Sequence, residues 1–174
     1  MRIEIGQYII RDWKRDDAPA LSRNANNPKI AVNLRDSFPH PYTLSDAESF
    51  LTRVDSQKPR TSFAIATASE AIGSIGLMLG QDVHHLTAEL GYWLAESYWG
   101  RGIMTSAATE VSDYGFREFG LNRIYALPYA HNLASMRVLE KAGFTFEGRL
   151  RASVVKGGKI LDQNMYAKVR QDIT

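Results

Sequence analysis

The chain contains no cysteine, which removes disulfides, thiolate zinc sites and a cysteine nucleophile from consideration. It has no run of about 18 apolar residues, the length that a membrane-spanning helix requires. The opening Met1-Arg2-Ile3-Glu4 lacks the uninterrupted apolar stretch of a secretory signal. Together these absences make the cytoplasm the expected location and leave no membrane contact expected. An excess of one charge is also missing. With 21 Lys and Arg against 19 Asp and Glu, the formal net charge is +2, too small to draw the chain onto nucleic acid. No metal site is expected, because adjacent residues such as His84-His85 point to opposite faces of a strand; the pair reads as a turn. Fixed-period repeats and low-complexity blocks are absent, and Pro and Gly are scattered rather than gathered into a linker.

What is present suits one folded unit. The 174 residues fall within the roughly 100–200 that a single domain usually takes, so one domain over 1–174 is expected. Hydrophobic residues are 44% and charged residues 23%, ordinary values for a globular chain. Strand composition begins at Gln7-Tyr8-Ile9-Ile10-Arg11-Asp12-Trp13, and a helix follows from Asp16-Asp17-Ala18-Pro19. The segment from Asn24 to Tyr42 is turn-rich and reads as a long binding loop with a short helix near 28–34. A second helix starts at Thr43 or Ser45, either of which serves as its cap. Strands are predicted at 62–67, 72–79 and 86–94, a long amphipathic helix at 103–119 ending at Gly120, and a strand at 123–129. A short helix at 134–141 closes at Gly143, and a hairpin of 146–155 with 160–169 turns across Lys156-Gly157-Gly158. The order β-α-α-β-β-β-α-β-α-β-β implies a mixed α+β fold.

Chemistry is expected where the 86–94 strand opens onto the long helix. In Trp99-Gly100-Arg101-Gly102-Ile103-Met104-Thr105, two glycines allow the backbone to curl closely around a charged group. The new helix adds unpaired N–H donors and partial positive charge, so a pyrophosphate fits, with Arg101 and Thr105 supplying a charge and a hydroxyl. The loop is neither a dinucleotide fingerprint, lacking the third glycine, nor a P-loop, lacking Gly-Lys-Ser/Thr. On its own a Gly-x-Gly before a helix is more often a turn and cap than a phosphate site.

A second segment, Asn132-Leu133-Ala134-Ser135-Met136-Arg137-Val138-Leu139-Glu140-Lys141-Ala142-Gly143-Phe144, narrows the reading. The two segments, with Pro39-His40-Pro41-Tyr42, Glu89-Leu90-Gly91-Tyr92-Trp93-Leu94 and Asn164-Met165-Tyr166-Ala167, resemble the GNAT acetyltransferase superfamily. Within it they resemble the RimJ/RimL branch of ribosomal-protein N-terminal acetyltransferases, over nearly the whole chain. The resemblance implies a mostly antiparallel central sheet flanked by helices, with a V-shaped splay between its fourth and fifth strands, here about 86–95 and 123–130. It implies acetyl-CoA as co-substrate, with no metal. The backbone of Trp93, Leu94 and Ala95 would pair with the pantetheine amides, and Trp99, Gly100, Arg101, Gly102, Ile103, Met104 and Thr105 would hold the pyrophosphate. Asn132 would steady the pantetheine arm, and Arg137 or Lys141 would approach the outer phosphates. Two departures, Trp99 for Gln or Arg and Met104 for Gly or Ala, match the RimJ/RimL variant.

Acetyl transfer needs a neutral amine, a site for the oxyanion and a proton for the departing thiolate. By resemblance Glu89 is the base; as a residue it also reads as a strand-end carboxylate satisfied by its neighbours. The tyrosine acid of many relatives falls at Leu139, so Ser135, the serine assigned as acid in the RimL-like branch, takes that role; a Ser near a helix start is also an ordinary cap. A glutamate that the branch carries after Gly-Phe falls at Val154. The N–H of Leu94 or Ala95 is the expected oxyanion donor. Asn33, Arg35, His40, Tyr42 and Tyr129 are expected to face the acceptor groove, lined by the 33–42 loop and the last hairpin. An α-amine, with a pKa of about 7.7–8.0, is far more often neutral at pH 7 than a lysine amine near 10.4. A protein N-terminus, ribosomal or other, is therefore the expected acceptor. A small amine such as a polyamine, amino acid or antibiotic, and a catalytically silent acyl-CoA-binding module, are the alternatives, for a monomer or homodimer.

Overall fold

The first dozen residues form a hairpin, where the sequence suggested a single strand. β1 (Arg2–Ile5) and β2 (Tyr8–Asp12) pair antiparallel, and Gly6 turns the chain at φ +64, a conformation that a side chain opposes. The computed structural model describes residues 1–170, so the last four positions of the expected domain lie outside the described residues.

Helix α1 (Ala18–Ala25) starts at Asp17 with Pro19 in its first turn, as read. The Asp17 carboxylate does not cap it, however. It accepts two bonds from Arg11 at 2.8 and 2.7 Å and one from the Lys14 N–H at 2.8 Å, so a nearly buried charge is fully paired. Helix α2 (Pro28–Ala31) is shorter than expected and is capped by the Asn27 side chain. Helix α3 (Leu44–Ser56) starts at Thr43, where Thr43 and Asp46 exchange side-chain and backbone bonds. Such a reciprocal pair satisfies two orphan donors, which a Ser45 start would leave open.

The remaining elements are β3 (Ser62–Ala66), β4 (Ala71–Leu79), β5 (Thr87–Leu94), α4 (Ile103–Glu118), β6 (Arg123–Ala126), α5 (Leu133–Lys141), β7 (Thr145–Lys156) and β8 (Lys159–Val169). All eight strands join one sheet in the order β1-β2-β3-β4-β5-β6-β8-β7. It is a mixed sheet flanked by helices, and β5 with β6 is a parallel pair between antiparallel ones. The parallel ladder ends at Glu89 and Tyr125, although β5 runs on to Leu94. The Gly157-Gly158 turn, at φ +55 and +77, closes the β7–β8 hairpin.

The chain divides into two compact units, Met1–Gly76 with Tyr92–Ile103, and Leu77–Gly91 with the chain from Met104 onward. In the first, Ala18, Leu21, Ala25, Tyr42, Ala47 and Leu51 form a core under Trp13, Phe38, Phe50 and Trp93. In the second, α4 lies close to the sheet at Gly115, where an added Cβ would stand 2.7 Å from Leu77 Cδ1 and 3.1 Å from Ile124 Cδ1. Its α5 is tied to β8 by a bond of 2.9 Å from the Tyr166 hydroxyl to Glu140 and by contact of the Asn164 amide with the Met136 sulfur. Among the described residues no helix is long and apolar enough to cross a membrane.

Candidate active site

In the first unit, β5 leaves the sheet through a 3-10 turn at Glu96–Tyr98. The chain then passes Trp99 and enters α4 through two left-handed glycines, Gly100 at φ +74 and Gly102 at φ +75. A Cβ at either glycine would meet nothing within 4 Å, so the requirement for glycine is conformational, not spatial. The first N–H groups of α4 have no acceptor within the helix, and its first turn carries no acidic residue. A helix start ordinarily gains from Asp or Glu there, and leaving it without one suits a bound anion. The Arg101 guanidinium donates to the Ser97 carbonyl at 2.8 Å and lies 5.3 Å from the centre of the Tyr98 ring. Its charge thus stays beside the turn on a fixed stem. This donor set fits a pyrophosphate.

The Trp99 side chain, 44% exposed, donates its indole N–H to the Leu94 carbonyl at 2.7 Å. Ala95 donates its N–H to the Ile72 carbonyl at 2.8 Å. The sequence reading offered either Leu94 or Ala95 as oxyanion donor; Ala95 is already committed to the strand ladder. The Leu94 carbonyl keeps one lone pair beyond the indole bond. Trp93 packs beside Phe38, ring centres 5.9 Å apart.

The expected acceptor loop also belongs to the first unit. Asn33 donates to the Lys29 carbonyl at 3.1 Å, and Arg35 and His40 are exposed. Tyr42 departs from expectation: it is 6% exposed and forms part of the core. Its ring follows the apolar faces of α1 and α3, because burying an aromatic ring outweighs exposing one hydroxyl. Burial, with the Asp46 charge adding to it, pushes that hydroxyl up from 10.0 to about 12.

The second unit carries the expected acid and base. Glu89 is half-buried at the last rung of the β5–β6 ladder. Ser135 is not the cap of α5. That role belongs to Asn132, whose Oδ1 accepts the Ser135 N–H at 3.2 Å, which leaves the Asn132 amide N–H₂ for another partner. Leu139 is fully buried. Arg137 and Lys141 are exposed on α5, Met104 is buried at the start of α4, and Thr105 lies in its first turn. Tyr129 is 7% exposed with its ring 5.8 Å from that of His131. His84-His85 lies in a 3-10 turn, and among the described residues no cluster suits a metal ion.

Residue patterning carries no sign of the three-residue bulge on β7 opposite Asp162. The Asp162 carboxylate accepts from Arg149 Nε at 2.6 Å and the Ala152 N–H at 2.7 Å, and its carbonyl accepts from Ala130 at 2.9 Å. These bonds hold Ala152 at φ +52, which costs an alanine about 1–2 kcal/mol. They also keep the Asp162 carboxyl below its usual range, the Ala152 bond contributing most.

The Acetyltransferase (GNAT) domain family matches residues 7–145. The chain belongs to the GNAT acetyltransferase family. It is an N-acetyltransferase that uses acetyl-CoA. Among its relatives, the uncharacterized N-acetyltransferase YoaA of Bacillus subtilis is 30% identical over 172 residues, covering 97% of this chain and 96% of that one. The spermidine N(1)-acetyltransferase of Escherichia coli is 28% identical over 145 residues, covering 81% and 74%. In fold, this GNAT enzyme is similar to the solved structure of RimL, a ribosomal L7/L12 α-N-protein acetyltransferase in complex with coenzyme A. The two share a TM-score of 0.86 at 22% identity, with 97% and 98% of the chains covered.

Proposed function

We propose that this acetyltransferase acts in the cytoplasm, as a monomer or homodimer, on the α-amine of a protein N-terminus. The observation that carries the acceptor reading is the charge of the last hairpin. Strands β7 and β8 hold Arg149, Arg151, Lys156, Lys159 and Lys168 against only Glu147 and Asp162. Asp162 pairs with Arg149 inside the hairpin, while Glu147 and Lys168 pair outside it with Arg123 and Asp113, so the hairpin keeps a net positive charge. A hairpin of this sign repels a polyamine and suits a peptide bearing acidic side chains. The fold shared with RimL supports the same reading; the spermidine enzyme among the relatives is the counter-case that the hairpin charge argues against.

Acetyl-CoA supplies the activated thioester. In this reading residues 99–105 hold its pyrophosphate, the backbone of Trp93 and Leu94 pairs with the pantetheine arm, and Asn132 and Arg137 contribute from α5. Glu89 takes the proton of the attacking amine, directly or through water, as the N–C bond forms. The Leu94 N–H stabilises the oxyanion. Ser135 donates its proton to the sulfur as the C–S bond breaks and is reprotonated from solvent. Asn33, Arg35 and His40 border the acceptor, and the buried Tyr42 and Tyr129 contribute by shaping their own loops rather than by contact.

Release of free thiol from acetyl-CoA, measured with a short acidic peptide bearing a free N-terminus, the same peptide with its N-terminus blocked, and spermidine, tests the proposal. The free peptide should turn over at least about tenfold faster than either competitor, and Ser135→Ala and Glu89→Gln should each lower kcat by about 10²-fold or more. Preference for spermidine would replace the acceptor. CoA binding without turnover of any amine would make the chain a silent module.

A further inference from the structure

Three residues in the first unit are more tightly organised than their exposure requires. Glu96 opens the 3-10 turn that leads into the Trp99–Gly102 loop. Its carbonyl accepts the Trp99 N–H at 3.1 Å. One carboxylate oxygen accepts from the Asn27 amide at 2.7 Å, and the other accepts from the Lys29 ammonium. Asn27 spends its two oxygens on α2: its side-chain oxygen accepts from the Lys29 N–H at 2.9 Å and its carbonyl from Ile30 and Ala31 at 3.0 Å each. Beyond α2, Asn33 is bound to the Lys29 carbonyl at 3.1 Å, and at the base of the segment the Asn26 amide oxygen accepts the Tyr42 N–H at 3.0 Å. The adjacent pair Asn26-Asn27 therefore closes the 27–42 segment on one side and straps it to the cofactor turn on the other.

We propose that Glu96 is a positioning residue that fixes the phosphate-cradling turn against α2, so that acetyl-CoA binding depends on the segment that lines the acceptor side. The proposal rests on the reading of residues 99–105 as the pyrophosphate cradle. Glu96 is 39% exposed and Lys29 65% exposed, and ion pairs at such exposure add little to global stability. Their effect is geometric. A cradle built from backbone N–H groups has no side chain to readjust, so its fit follows the placement of the turn that precedes it. Glu96 does this from both ends, since its carbonyl holds the backbone of Trp99 while its carboxylate holds α2. The Lys29 and Asn27 bonds keep the carboxyl below its ordinary range, which keeps the strap charged at neutral pH.

Calorimetric titration with CoA alone tests the inference, with the wild-type chain measured first. A wild-type chain that does not bind CoA overturns the cradle reading and this proposal with it. Given wild-type binding, Glu96→Ala should raise the CoA Kd about 5–20-fold with the melting temperature little changed. Asn27→Ala, a substitution outside the cradle, should raise it by a similar factor. The double variant should be no weaker than Glu96→Ala alone, because both remove one strap. Glu96→Gln, which keeps one accepting oxygen, should recover part of the loss. An unchanged Kd in Glu96→Ala overturns the proposal. So does a loss that adds fully in the double variant and tracks a large fall in melting temperature, since that is general destabilisation.

Discussion

Trp99 stands where the family resemblance led to an expectation of Gln or Arg, and its indole bond to the Leu94 carbonyl holds a bulky, half-exposed ring there. The bond closes the loop between the end of β5 and the first glycine. A residue whose ring stays and whose donor is lost isolates that effect. Trp99→Phe should weaken CoA binding by about 0.5–1.5 kcal/mol, roughly 2–13-fold in Kd, measured by calorimetry. An unchanged Kd would make the indole bond incidental to the cradle. Gly100 and Gly102 were legible from the sequence because the demand they meet is local: the chain must turn through positive φ before a helix. The Trp99 bond was not, because nothing in residue spacing indicates which carbonyl an indole will reach.

At the scale of elements, β4 and the end of β5 approach more closely than side chains allow. A Cβ added at Gly73 would lie 2.6 Å from the Trp93 carbonyl, a backbone atom that cannot rotate away. Gly73→Ala should therefore cost about 1–3 kcal/mol and disturb the strand end that carries Trp93 and Leu94. Gly91 offers the control, since a Cβ there meets only Met78 Cε at 3.6 Å, ordinary contact. Calorimetric melting should show a clear fall for Gly73→Ala and little change for Gly91→Ala; equal behaviour would show that the strands can separate without cost. Periodicity and caps placed most elements because those signals span only a turn or two of chain. They missed β1, whose four residues are too short an alternation to stand out, and the β7 bulge, which exists because Asp162 bonds to Arg149 and Ala152 across the hairpin.

For the whole molecule, the buried Tyr42 gives stability a dependence on alkaline pH. Its hydroxyl titrates at about 12 in the fold against 10.0 when free, so the folded chain holds that proton more tightly than the unfolded one. The contribution is complete below pH 10.0 and is lost as pH rises toward about 12. A gap of that size corresponds to roughly 2–3 kcal/mol at its limit. Tyr42→Phe should flatten the decline, seen as a smaller drop in urea midpoint than wild type over about pH 9 to 12. Parallel curves would mean that the ring is exposed before it ionises.

The family resemblance supplied the candidacy of Glu89 and Ser135 and the reading of 99–105 as a cradle, while the residues by themselves determined the α+β class, the two-glycine turn ahead of the long helix and a short helix at 134–141. These last follow from interactions within a few residues: glycine conformation, helix termini, strand alternation. The sequence did not determine that Tyr42 turns inward, that Ala95 spends its N–H on Ile72, that Asn132 rather than Ser135 caps α5, or that Glu96 is strapped to Asn27 and Lys29. Most of these join residues far apart in the chain, and in every case several partners were chemically acceptable. Only the folded chain selects among them, because it brings one acceptor within hydrogen-bond reach and buries one ring where its area is best covered.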